Sequence, residues 1–218
     1  MESEKHPLLR QFSRGDCPLR LAVLASGRGS NLQAIIDSSR NGRLFAEVVV
    51  VISDNPEAYA LTRAKDQGIA AVLVEPWTYP NKAAYEEALV EVCAAYGAEV
   101  VVLAGYMRLL GHVFLSQFPN RVLNIHPALL PAFTGLHAQR QALEYGVRYS
   151  GCTVHFVDEG MDTGPILLQA VVPVLPDDNE DTLAERILVQ EHHIYPQALE
   201  LVARGKIRIE GRRVRIGC

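Results

Sequence analysis

Arg121-Val122-Leu123-Asn124-Ile125-His126-Pro127 is the stretch on which the reading of the fold turns. Its apolar run reads as a β-strand, and the proline ends it. Side chains two apart in a strand point to the same side, so Asn124 and His126 project together from the C-terminal tip. Open α/β sheets bind their ligands at that edge. An amide donor beside a titratable ring suits a reaction that passes through an oxyanion and a proton transfer.

Outward from this strand, apolar β-type runs alternate with helix-like stretches. On the N-terminal side, strands are expected over 19–25, 47–52, 70–74 and 100–104, and helices over 31–39, 59–67 and 82–96. This alternation predicts an α/β fold, a Rossmann-like, mostly parallel sheet with helices on both faces. On the C-terminal side the pattern changes. Pro127, Pro131 and Gly135 stiffen a loop, and a helix is expected over 138–145. Two β-rich runs, 150–157 and 166–174, flank the turn-rich segment 158–165, which predicts antiparallel additions in the C-terminal half. A long helix over 181–203 should kink or split at Pro196, which lacks an N–H. The tail 206–216 reads as a hairpin around a Glu-Gly turn.

The chain has 218 residues, 49% hydrophobic and 21% charged, which suits a single globular domain. We expect that domain over 19–218, preceded by a polar extension over 1–18. The formal net charge of −4 calls for neither a nucleic-acid phosphate track nor an anionic membrane, while a local anion site remains compatible with it. No apolar run is long enough to span a bilayer, and residues 1–18 lack the apolar centre of a signal peptide. The four cysteines, Cys17, Cys93, Cys152 and Cys218, form no C-x-x-C pair and read as reduced thiols of a cytoplasmic protein.

The first strand runs into Ala25-Ser26-Gly27-Arg28-Gly29-Ser30-Asn31-Leu32-Gln33. Glycines let backbone approach a ligand closely, and a helix N-terminus offers free N–H groups to an anion. Leu32 stands where a dinucleotide fingerprint has its third glycine, and no Gly-Lys-Ser/Thr follows. The loop therefore reads as a phosphate site for a small ester; a plain capped strand–helix turn is the blander reading. Asp162 lies in a glycine-bounded loop. It is an ordinary turn aspartate unless that loop folds back on the strand tip, where its carboxylate would stabilise an imidazolium at His126. His137 reads as structural or supporting. The adjacent His192 and His193 point to different sides of a helix, and no histidine–carboxylate spacing suggests a metal.

Five ordered motifs now stand together: Ser26 to Ile35, Leu103 to Arg108, Leu123 to Pro131, Met161 to Pro165 and Gln190 to Pro196. They resemble the phosphoribosylglycinamide formyltransferase family of purine biosynthesis, and the resemblance runs from about Leu19 to Ala203. It implies transfer of a formyl group from the cosubstrate 10-formyltetrahydrofolate to the amine of glycinamide ribonucleotide, without a metal. By position it implies Asn124, His126 and Asp162 as the catalytic set. Gly29, Ser30 and Asn31 match the loop for the ribonucleotide phosphate, and Glu191 the carboxylate near the glycinamide. Lys82, Met107, Arg108, Leu109 and Leu110, with Asp158, Glu159, Gly160, Met161 and Asp162, match the folate pocket, to which Asn124 also belongs. Small molecules would be its partners, with no nucleic acid or membrane, and the chain would act as a monomer or homodimer.

The nearest alternative is a formyltetrahydrofolate hydrolase of the same superfamily, which could use the same three side chains. It usually carries an additional N-terminal regulatory domain, for which residues 1–18 leave no room. A formyltransferase for initiator tRNA would need an RNA-binding domain and a basic surface. A non-catalytic sensor of phosphorylated ligands would need the glycine loop but no paired amide and imidazole.

Overall fold

The structure is a computed structural model that describes residues 17–217. Most of the extension expected over 1–18, and Cys218, lie outside the described residues. The strands are β1 (Leu19–Leu24), β2 (Ala46–Ser53), β3 (Ala70–Leu73), β4 (Val100–Leu103), β5 (Val122–His126), β6 (Tyr149–Phe156), β7 (Ile166–Pro173), β8 (Ile207–Glu210) and β9 (Arg213–Ile216). The helices are α1 (Ser30–Arg40), α2 (Tyr59–Asp66), α3 (Lys82–Ala95), α4 (His112–Leu115), α5 (Ala138–Tyr145) and α6 (Glu180–Ala203).

The nine strands form one sheet in the order β3-β2-β1-β4-β5-β6-β7-β9-β8. β3, β2, β1, β4 and β5 run parallel, as their helical crossovers require. The antiparallel additions begin at β6, which pairs with β5 and β7. The terminal hairpin β8–β9 returns to parallel pairing, touching β7 at Ile166 and Arg213.

Strand alternation divides the buried apolar residues into two cores, one on each face. Leu21, Val23, Val100, Val102, Leu123 and Ile125 pack with residues of α1, α2 and α6. Ala22, Leu24, Val101, Leu103 and Val122 pack with residues of α3 and α4. Strands buried on both faces read as continuous apolar runs, which is why β1, β2 and β4 are so rich in Val and Leu. Each fully buried side chain of this kind contributes about 1.5–3 kcal/mol.

The chain goes from β1 outward to β2 and β3, then returns across β1 to β4. The sheet therefore has its switch point between β1 and β4, and open α/β sheets bind ligands beyond the C-terminal strand ends at such a point.

In α6, of the kink or split expected at Pro196, the split does not occur: one helix runs from Glu180 to Ala203. Ile194, Tyr195, Ala198 and Leu199 around the proline are buried, and the Tyr195 hydroxyl lies 2.9 Å from the carbonyl of Leu103 and 3.0 Å from that of Leu123. That burial and hydrogen bonding outweigh one missing N–H. The N-terminus of α6 is fixed by a capping box in which Asn179 and Thr182 each bond the other's backbone N–H. Helix α4 and a short 3₁₀ turn at Pro76–Thr78 are additions to the predicted elements.

Candidate active site

β5 ends with Asn124 and His126 on the same face as Val122. Across the antiparallel ladder, Asn124 is paired with His155 of β6. Their side chains meet, with Asn124 Nδ2 3.2 Å from His155 Nε2. His155 Nδ1 lies 3.0 Å from the carbonyl of Phe156, an acceptor only, so Nδ1 carries the proton. Nε2 is then free to accept from the Asn124 amide. Burial pushes the His155 pKa down, which favours this neutral form; the Phe156 carbonyl and the Asp162 carboxylate oppose the shift. The contact orients the Asn124 amide and uses one of its two N–H groups. Sequence reading missed His155. Its signal was the alternation of Thr153 and His155 with the apolar Cys152, Val154 and Phe156, together with the register to β5.

His126 is 5% exposed and both of its ring nitrogens face acceptors. Nε2 is 2.7 Å from the carbonyl of Phe133, and Nδ1 is 3.4 Å from Asp162 Oδ2. The Phe133 carbonyl can only accept, so Nε2 carries a hydrogen, and Nδ1 stands beside the carboxylate. Asp162 reaches this position because the segment after β6 folds back over the strand tip. Its backbone has φ 56°, a left-handed conformation that aspartate tolerates better than most residues. The Gly135 N–H donates to Asp162 Oδ2 at 2.8 Å, and Asp162 Oδ1 lies 3.7 Å from His155 Nε2. Asn124, His126 and Asp162 thus converge, with His155 as a fourth member.

The glycine loop lies on the same edge. Gly29 is the N-cap of α1, with φ 68°. The N–H groups of the first turn of a helix have no partner inside it. Asn31 does not turn its side chain toward the loop's open side; its Nδ2 donates to Glu191 Oε2 at 2.7 Å, in a buried contact. Its Oδ1 has no protein partner. Burial pushes the Glu191 carboxyl up, and the Asn31 amide partly offsets that. Tyr195 lies one turn beyond Glu191 on α6 and bonds the carbonyl at the end of β4 and that of Leu123, the residue before Asn124 in β5. One helix face therefore joins the glycine loop to the strand tip that carries Asn124.

A second network joins the glycine loop to the segment after β4. The Ser26 hydroxyl donates to Asp54 Oδ1 at 2.6 Å and accepts from the Met107 N–H at 3.0 Å. Arg108 Nε donates to the other Asp54 oxygen at 2.7 Å. Met107 and Leu109 are exposed, and Leu110 is buried. Buried Glu86 accepts from the N–H groups of Gly111 and Phe114 and so caps α4; Lys82 Nζ stands 3.5 Å from it. Opposite, Asp158 accepts from Thr163 Oγ1 at 2.6 Å and from the Gly160 N–H at 3.2 Å. Glu159 meets His112 Nδ1 at 2.8 Å. Contacts thus tie Lys82 through Glu86 to the start of α4, α4 through His112 to Glu159, and Asn31 of the glycine loop to Glu191. Cys152 is buried, and burial pushes its thiol up to about 12, so it is no nucleophile at neutral pH.

The glycine loop thus stands at the switch point, on the same sheet edge as the amide, the imidazole and the carboxylate. Residues 19–199 match the family described as formyl transferase, and the chain belongs to that family. It is similar to phosphoribosylglycinamide formyltransferase of Escherichia coli (strain K12), with 43% identity over 191 residues, 88% of this chain and 90% of that protein. Its structure is similar to that of glycinamide ribonucleotide transformylase 1 from Symbiobacterium toebii, with TM-score 0.91, 56% identity, and 92% of this chain and 95% of that one covered. The trifunctional purine biosynthetic protein adenosine-3 of Drosophila pseudoobscura pseudoobscura is 47% identical over 87% of this chain, which spans 14% of that protein's length.

Proposed function

We propose that the chain transfers a formyl group from 10-formyltetrahydrofolate to the amine of glycinamide ribonucleotide, as a step of purine biosynthesis. The observation that carries this reading is the convergence of Asn124, His126 and Asp162 at the end of β5, beside a glycine loop that offers free N–H groups. The similarity to the E. coli enzyme over nine-tenths of that protein's length supports it.

The ribonucleotide phosphate sits on the N–H groups of Gly29, Ser30 and Asn31, where the helix dipole favours an anion. Glu191 receives the glycinamide end. The folate enters between Met107 to Leu110 and Asp158 to Asp162, beside Lys82. The amine lone pair attacks the formyl carbon, and the carbonyl π electrons move onto its oxygen. The free N–H of Asn124 and the positive His126 ring stabilise that oxyanion. Direct donation from His126 requires Nε2–H to leave the Phe133 carbonyl as substrate arrives. Asp162 and His155 hold the ring and the amide in place. The C–N bond to the folate nitrogen then breaks, that nitrogen takes up the proton released by the amine, and formylated ribonucleotide and tetrahydrofolate leave.

The test follows folate absorbance with and without glycinamide ribonucleotide. Loss of the formyl donor should depend on the ribonucleotide; loss without it would identify a hydrolase instead. Asn124→Ala and His126→Ala should each lower kcat by roughly 100- to 1000-fold, the usual cost of an oxyanion donor. Near-normal turnover in either variant would remove that residue from the mechanism.

A further inference from the structure

The glycine loop is held from behind by α2. The Ala60 N–H donates to the carbonyl of Gly27 at 3.1 Å. Arg63 Nε donates to the carbonyl of Arg28 at 2.8 Å. Its Nη1 also reaches Gln33 Oε1 of α1 at 3.3 Å, and its guanidinium lies 4.9 Å from the centre of the Tyr59 ring. The packing is close: a Cβ on Gly29 would stand 2.9 Å from both Cα and Cβ of Ala60. Two successive loop carbonyls therefore face α2.

This has a geometric result. In a planar trans peptide the C=O of one residue and the N–H of the next point in opposite directions. Drawing the Arg28 carbonyl toward α2 aims the Gly29 N–H away from it, toward the open side of the loop. The bond from Ala60 does the same for the Arg28 N–H. A glycine peptide has a low barrier to turning over, since either sign of φ is open to it. Something outside the loop must therefore choose the orientation, and the guanidinium does so at the peptide where the proposed phosphate contact begins.

We infer that Arg63 is a positioning residue for the phosphate site: by holding the Arg28 carbonyl it keeps the Gly29 N–H aimed at the phosphate of the ribonucleotide. This rests on the reading of residues 29–31 as that site. Arg63 does not touch the reacting atoms. Its planar fork spans the Arg28 carbonyl and Gln33 together, which a lysine ammonium cannot reproduce.

Two variants and two readouts test this. Arg63→Met keeps the bulk of the stem and removes the donors; Arg63→Lys keeps the charge and removes the fork. Inorganic phosphate is titrated into each full-length protein while the Gly29 amide is followed by NMR, and KM is measured for both substrates. In the unaltered protein the Gly29 amide should shift on phosphate addition; no shift there would overturn the phosphate-loop reading itself. In Arg63→Met the shift should be lost and KM for the ribonucleotide should rise about tenfold or more, as expected for a lost charge-assisted hydrogen bond. KM for the folate and kcat should stay within about twofold, since neither depends on the aimed N–H. Arg63→Lys should fall with Met, not with Arg, in the Gly29 shift. A lysine variant with the full shift and unchanged KM would overturn the inference, because charge alone would then suffice. If Arg63→Met fails to fold, Arg63→Lys carries the same decision.

Discussion

His155 is the residue whose role is most open to test. Its neutral ring accepts from Asn124, so protonation would remove the acceptor and leave the amide free to turn over. Burial lowers its pKa, so this loss sets in only below the ordinary imidazole range, near 6.5. The sign follows from linkage: the unfolded chain binds this proton more readily, so the folded form loses stability as pH falls below that range. His155→Leu, which keeps the volume and deletes the acceptor, should reduce kcat by about 10- to 100-fold, less than loss of the donor itself. The pH–kcat profile is the decisive measurement. An acid limb with the same midpoint and steepness in His155→Leu as in the unaltered protein would mean that another group titrates there. Asn124 and His126 were legible in the sequence because two residues of one strand fix each other's direction. His155 was not, because its meeting with Asn124 depends on the register of a later antiparallel strand.

At the scale of elements, Tyr195 shows how a helix governs the strand tip. Its hydroxyl is buried and serves the carbonyls of both Leu103 and Leu123. Tyr195→Phe leaves those acceptors without that donor and should cost about 1–3 kcal/mol, read as a lowered midpoint in urea. The end of β5 would also loosen, so kcat should fall with stability; an unaltered midpoint would show that the carbonyls find water instead. The strands of the parallel half were readable to within a residue or two, because strands buried on both faces are continuous runs of Val, Leu and Ala. Helix α4 was not readable. Four residues carry no periodicity, and its start is set by Glu86, a side chain distant in sequence. The parallel return of β9 to β7 was equally hidden, since one residue pair defines it.

The whole molecule is closed by α6, which packs on α1 and on the sheet. Its entry is secured by Asp178, which accepts from Arg186 Nη1 at 2.6 Å and Nη2 at 2.8 Å, from the Leu175 N–H at 2.7 Å and from Thr182 Oγ1 at 2.9 Å. The Arg186 hydrogen bonds hold the Asp178 carboxyl well below the ordinary carboxylate range. A depressed carboxyl stabilises the fold at neutral pH and stops doing so as pH falls through the acid range. Asp178→Asn should therefore melt lower at pH 7, by on the order of a few degrees, and the gap should close on acidification. A gap that does not vary with pH would assign the effect to shape rather than to charge.

The Ser26 hydroxyl is shared between the two ends of the cleft, and this gives the molecule a built-in reporter. The hydroxyl sits at the start of the glycine loop, while the amide it receives, that of Met107, belongs to the wall expected to face the other ligand. Anything that stills the glycine loop also stills Ser26, and the backbone proton of Met107 then escapes to solvent less often. Deuterium uptake at Met107 should slow when the ribonucleotide is added with no folate present. Unchanged uptake would mean that each half of the cleft fills without notice from the other.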